Sequence, residues 1–247
     1  METHALSVWS PQLKNRRAVD VYLPASYAPG RRRYPVVYLH DGQNLSDPST
    51  AFGGKTWQLE AALERLAREG LDAIAVGIHN AGDARLAEYS PFLDARHGGG
   101  AGDRYLRFVI ETIKPRIDRR YRTDRARDAT AIAGSSMGGL ISLYGFFAAP
   151  RVFGRLAALS PSLWFGGRRV LDFVEAAGRP EGRIYLDAGT AEGADTLRDA
   201  RRLARLLRRK GYHSKDALRY VEVERHRHTE TDWARRLPGA LEFLLRP

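Results

Sequence analysis

Seven short β-rich runs alternate with longer stretches of near-3.6-residue apolar spacing, and this alternation constrains the fold more than any other feature. The runs are 18–23, 36–39, 73–78, 130–133, 156–159, 183–187 and 218–223. Helical spacing covers 57–69, 103–120, 140–148, 169–177, 196–210 and 238–245. Strands separated by helices predict an α/β architecture, a mostly parallel central sheet with helices on both faces. Gly70 stands at the C′ position of the first helix, and Pro115 predicts a kink in the second. The glycine-rich segment "DARHGGGAGD" at 94–103 reads as a mobile surface loop. No linker or repeat divides the chain, so residues 1–247 are expected to form a single domain.

The formal net charge of +11 raises the question of a nucleic-acid partner. The densest basic cluster, "RRLARLLRRK" at 201–210, is amphipathic, with Leu203, Leu206 and Leu207 facing the core. It lacks interleaved aromatics and any nucleic-acid motif, so it reads as a solvated helix face and no nucleic acid is expected as partner. The N-terminal stretch "METHALSVWSPQLKNRRAVDVYLP" is interrupted by polar residues and prolines before any apolar segment reaches signal-peptide length, so no export signal and no membrane span are expected, and the chain is expected to be cytoplasmic without a membrane partner. The absence of cysteine excludes disulfides, a thiol nucleophile and Cys-ligated zinc. His226 and His228 lack a third ligand at useful spacing, so neither a metal nor a cofactor is expected.

The stretch "ATAIAGSSMGGLISLYGFF" at 129–147 places two serines between an apolar strand and an apolar helix. A residue in so abrupt a turn is forced into an unfavourable backbone conformation that pushes its side chain outward. The residues two before and two after it crowd together and must be small. Gly134 and Gly138 meet that demand around Ser136, whereas Ser135 would be flanked by Ala133 and the bulky Met137. Ser136 is the candidate nucleophile. The N–H of Met137 then lies at a helix N-terminus, where unpaired donors stabilise a developing oxyanion. A second donor is expected from "HDGQN" at 40–44, where Gly42 permits the turn that frees an N–H of Gly42 or Gln43.

A serine hydroxyl needs a histidine in reach and a carboxylate to orient that histidine. Downstream of Ser136 stand His213, His226 and His228. His213 follows a helix end and reads as a surface residue, while the other two follow the last strand. The strand "RIYLDAG" and its sequel "TAEGAD" offer Asp187, Glu192 and Asp195 as the acid. Asp187 still belongs to the strand, where it could face solvent or cap the following turn. Asp41, Trp164 and Tyr89 are candidates for pocket walls.

The segments "VVYLHDGQNLSDP", "GSSMGGLISLY", "GRLAALSPSLWF", "YLDAGTAE" and "HTETDWARRLP" resemble the putative-esterase family of α/β-hydrolases. That family includes enterochelin (siderophore) esterases, feruloyl and acetyl-xylan esterases, S-formylglutathione hydrolase and bacterial mycolyltransferases. The similarity runs from about Val19 to the C-terminus. It implies the α/β-hydrolase fold and a cofactor-independent serine esterase acting on a small-molecule ester. A siderophore esterase and an acyltransferase are alternatives on the same fold, and a non-catalytic carbohydrate-binding scaffold is an alternative of another class. The family pattern His-x-Glu-x-x-Trp falls on His228 and Trp233, which implies His228 as base, with His226 as the second choice. The family acid falls three residues after the glycine closing its strand, which implies Glu192. Ser46 departs from the family, where an aromatic is common.

Overall fold

The computed structural model describes residues 1–27 and 30–246 of the 247. Ten strands are present among them: β1 Glu2–Ser10, β2 Asn15–Leu23, β3 Val36–His40, β4 Ile74–Ile78, β5 Leu93–Asp94, β6 Gly98–Gly99, β7 Thr130–Ser135, β8 Arg155–Leu159, β9 Arg183–Gly189 and β10 Leu218–Val223. Eight of them form one sheet in the order β1-β2-β4-β3-β7-β8-β9-β10. The pairs from β4 to β10 are parallel, and β1 and β2 add an antiparallel edge. The mostly parallel sheet is the α/β architecture expected from the alternation of strands and helices. Among the described residues no helix is long and apolar enough to cross a membrane.

The helices are α1 Leu59–Arg68, α2 Arg85–Glu88, α3 Gly102–Arg107, α4 Lys114–Arg120, α5 Met137–Ala148, α6 Arg169–Ala176, α7 Ala194–Arg209 and α8 Glu230–Leu245. Strand side chains alternate between two cores, as the two-residue period of a pleat requires. Val36, Tyr38, Ile132 and Leu156 pack with residues of α3 to α7, including Phe146, Val170 and Leu203. Val37, Leu39, Ala133 and Leu159 pack with α1 and α8, including Leu63, Trp233 and Leu241. Both faces of the central strands are therefore covered, which is why those strands read as continuous apolar runs.

Four sequence expectations change in detail. β1 was not among the expected strands, because its alternation is mild: only Val8 and Ser10 are fully buried. Pro115 produces no simple kink. The chain widens into a π-helical stretch over Phe108–Ile113 between α3 and α4, and the proline enters at the start of the next segment, where its missing N–H is tolerated. The segment expected as a mobile loop at 94–103 contains the β5–β6 hairpin. Asp94 ties it by accepting from the N–H of Arg96, His97 and Gly166. Finally, α8 begins eight residues before Pro238, which lies inside it. Burial of Trp233, Leu237, Leu241 and Leu244 offsets the proline penalty of about 3 kcal/mol.

Candidate active site

The parallel strands deliver their C-terminal ends to one edge of the sheet, where ligands bind in folds of this kind. β7 ends at Ser135, and α5 starts at Met137, so Ser136 alone makes the turn. Its φ of 54° and ψ of −122° place it in a region that side-chain-bearing residues avoid. Neighbouring contacts hold that geometry: its N–H donates to the Leu159 carbonyl at 3.0 Å, and its carbonyl accepts from Ser162 N–H at 2.9 Å. A Cβ on Gly134 would stand 2.6 Å from the Gly138 backbone. Gly134→Ala is accordingly expected to cost about 1–3 kcal/mol of stability by overpacking and to lower kcat with it. Thermal unfolding beside steady-state kinetics checks this, and a wild-type Tm with wild-type kcat would contradict it.

Ser136 Oγ lies 2.9 Å from His228 Nε2, and His228 Nδ1 lies 3.1 Å from Glu192 Oε2. Ser162 Oγ is 3.1 Å from Ser136 Oγ. With Nδ1 donating to the carboxylate, Nε2 is left to accept the serine proton. His228 reaches the serine from the loop after β10, braced edge-on by Trp233 with ring centroids 4.8 Å apart. The Glu192 side chain is wholly buried, although its backbone lies in the loop after β9. Burial pushes its carboxyl up, but His228, the Ser160 hydroxyl, Gly189 N–H and the Arg236 guanidinium outweigh that and hold it below the ordinary value.

The alternatives are placed elsewhere. The His226 ring faces α8, with Nδ1 3.7 Å from Asp232 Oδ1, and His213 is exposed. Asp195 is exposed at the start of α7 and pairs with Arg198. Asp187 neither faces solvent nor caps a turn. It is fully buried, accepting from Arg236 Nη1 at 2.8 Å and from Ser160 N–H at 3.1 Å, and burial pushes it up to about 6 against the pull of Arg236.

Met137 is the first residue of α5, so its N–H is a leading donor of that helix. In the loop after β3, Asn44 N–H donates to the Asp41 carbonyl and Leu45 N–H to that of Gly42. The N–H groups of Gly42 and Gln43 therefore lead this short turn and precede its first internal bond. The loop abuts the elbow: a Cβ on Gly138 would lie 3.2 Å from His40 Cβ and 3.5 Å from Asp41 Oδ2. The reason for Gly42 differs from the expected one. The left-handed residue is Asp41, with φ of 57°, and Gly42 is required because a Cβ there would come within 2.6 Å of the Gly77 backbone on β4.

A cavity of about 480 Å³ opens over Ser136, lined by Asp41, Gln43, Asn44, Phe52, Asn80, Arg85, Glu230 and Trp233 among others. Asp41 is present as expected, but its carboxylate is already held by Arg85 at 2.7 Å through both oxygens and by Asn80 at 2.7 Å. Tyr89 and Trp164 are not among its walls. Tyr89 is buried behind the loop, its hydroxyl accepting from Asp41 N–H at 3.0 Å and its ring beside His40 and Tyr105. Phe165 takes the core position, which leaves Trp164 43% exposed with its ring against His97. Ser46 is also outside the lining. Arg85 and Arg236 have no place in the sequence reading, and Glu230 enters it only as the glutamate of the His-x-Glu-x-x-Trp pattern. Arg236 had a signal, being a charge on the otherwise apolar stripe of α8.

The family model described as Putative esterase matches residues 10–244. The protein YbbA of Bacillus subtilis, whose function is uncharacterized, is 26% identical over 246 residues, covering 93% of this chain and 92% of that one. The siderophore triacetylfusarinine C esterase of Aspergillus fumigatus is 30% identical over 154 residues, 60% of this chain and 50% of that one, so the match spans half the relative's length. Among solved structures, an IroE-like serine hydrolase from Shewanella oneidensis superposes with a TM-score of 0.79 at 22% identity, covering 99% of this chain and 80% of that one.

Proposed function

The chain belongs to the putative esterase family and is a carboxylic ester hydrolase, and on that premise we propose that it cleaves short acyl or aryl esters through Ser136, His228 and Glu192. The observation carrying this reading is the run of hydrogen-bond distances, 2.9 Å and 3.1 Å, from the serine through the imidazole to the carboxylate. Ser136 Oγ attacks the ester carbonyl while His228 Nε2 takes its proton. The tetrahedral oxyanion is held by Met137 N–H and by an N–H of Gly42 or Gln43. The intermediate collapses to the acyl-serine, and His228 returns the proton to the departing alkoxide. Water then attacks the acyl group by the same route, giving its proton to His228, which passes it to Ser136 as the acid leaves. Throughout, ionised Glu192 accepts from His228 Nδ1 and stabilises the imidazolium. The absence of cysteine suits a reducing compartment, and we place the enzyme in the cytoplasm.

A siderophore esterase is the second reading, favoured by the Aspergillus relative and by Arg85 in the cavity wall. Arg85 is already neutralised by Asp41, which favours the general esterase. Turnover of p-nitrophenyl acetate and butyrate, feruloyl esters, acetylated xylan, S-formylglutathione and a catecholate trilactone, at low and high salt, decides between them. Simple esters are expected to be turned over as fast as the trilactone, with kcat/KM little changed by salt. A marked, salt-sensitive preference for the trilactone would replace this reading with the siderophore one.

A further inference from the structure

Two residues of α8 reach back to the acid–base pair that the helix follows. Thr229 caps α8, so His228 stands just before it. Trp233 and Arg236 are three residues apart and share a face. Trp233 braces the His228 ring and donates Nε1–H to Ser160 Oγ at 3.2 Å. The Arg236 side chain is only 2% exposed. Its Nε donates to the Asp232 carbonyl, Nη1 to Asp187 Oδ1 at 2.8 Å, and Nη2 to both Ser160 Oγ and Glu192 Oε1 at 3.0 Å. Glu192 Oε1 also accepts from the Ser160 hydroxyl at 2.5 Å and from Gly189 N–H at 2.8 Å. Oε1 thus has three donors, while Oε2 faces His228. Burying two carboxylates and a guanidinium is costly, and apolar residues of similar volume often serve stability as well.

We propose that Arg236 is a positioning residue for the reaction: by tying Glu192 Oε1 and Asp187 Oδ1 to one guanidinium, it leaves Glu192 a single oxygen, Oε2, aimed at His228. The inference rests on the Ser136–His228–Glu192 reading and adds to it the reason the acid is held in one orientation. The charged and titratable groups around Glu192 are His228 from the loop after β10, Arg236 from α8 and Asp187 from β9; Asp187 also faces Tyr185, and His228 also faces Glu230 from the first turn of α8. Without the guanidinium, two buried carboxylates confront each other, and a proton is taken up at higher pH than before. The unbalanced Asp187 charge raises the proton affinity of Glu192, and the reaction needs that carboxylate ionised, so the acid limb of kcat/KM moves to higher pH.

The test compares Arg236→Lys, Arg236→Met and the double variant Arg236→Met/Asp187→Asn with wild type, using pH profiles and near-UV circular dichroism. Both single variants are expected to lose roughly 10²-fold in kcat with KM nearly unchanged, because the acid is misplaced rather than the substrate. Arg236→Met should also raise the acid limb by about one pH unit, and Asp187→Asn in that background should bring the limb back while kcat stays low. A purely structural role would reduce the folded fraction and leave the limb in place. Should Arg236→Met fail to fold, Arg236→Lys keeps the charge and the double variant removes the unpaired Asp187 carboxylate, so those two decide. A folded Arg236→Lys with wild-type kcat and pH profile overturns the inference. Ser136→Ala separates the two levels: activity there sinks the triad reading, whereas an inactive Ser136→Ala beside a wild-type-like Arg236→Lys sinks only the positioning role.

Discussion

Ser136→Ala is expected to lower kcat by about 10⁵–10⁶-fold and to leave stability and substrate affinity near wild type. The size of the loss follows from the placement of Ser136 as the proposed nucleophile. Only Ser136 occupies the elbow from which its Oγ meets His228 Nε2 at 2.9 Å. Ser135 belongs to β7 and is buried, so it cannot take over without unmaking the last strand pair. Ser162 lies 3.1 Å from Ser136 Oγ, yet its backbone N–H is committed to the Ser136 carbonyl, which fixes it beside the nucleophile rather than in its place. Alanine removes no buried bulk, and it keeps the backbone conformation that the Leu159 and Ser162 contacts impose. Activity assays with circular dichroism and ligand binding check the outcome. An active, folded variant would contradict it.

His228→Ala should cost nearly as much as Ser136→Ala, and the double variant should lose no more than either single one, because in the proposed mechanism base and nucleophile act as a unit. His226→Ala should change kcat only a few-fold. The two imidazoles stand two residues apart but lie in different surroundings. His228 bridges Ser136 and Glu192, whereas His226 faces Asp232 on α8, with its buried Nδ1 left without a hydrogen bond. Removing it costs no hydrogen bond from that ring atom. Parallel kinetics on the three variants test this, and greater severity for His226→Ala would move the base to that residue.

The parts legible in the sequence are those set by local chemistry. The strand at Leu218–Val223 is found where its β-rich run stands, and Gly70 follows α1 with φ of 76°, as a C′ glycine does. Gly134 and Gly138 were readable because an abrupt turn leaves no room for side chains at those two positions. Long-range packing decided the rest. Nothing local marks Gly42 as pressed against Gly77 on another strand, and nothing local turns Tyr89 inward beneath Asp41. The first two turns of α8 were missed because Pro238 looked like a helix start, while the buried Trp233 and Leu237 carry the helix through it. Arg236 was hidden in the same way. A lone arginine on a buried stripe has meaning only once β9 brings Asp187 and Glu192 against it.

If Ser136 Oγ is the nucleophile that accepts the acyl group, a fluorophosphonate reacts at that atom, and intact-protein mass spectrometry followed by peptide mapping locates the adduct. The probe phosphonylates a serine only where a neighbouring base activates it. One adduct per chain is expected, mapped to Ser136 and lost in both Ser136→Ala and His228→Ala. An adduct on Ser135 or Ser162, or undiminished labelling of Ser136→Ala, would contradict it.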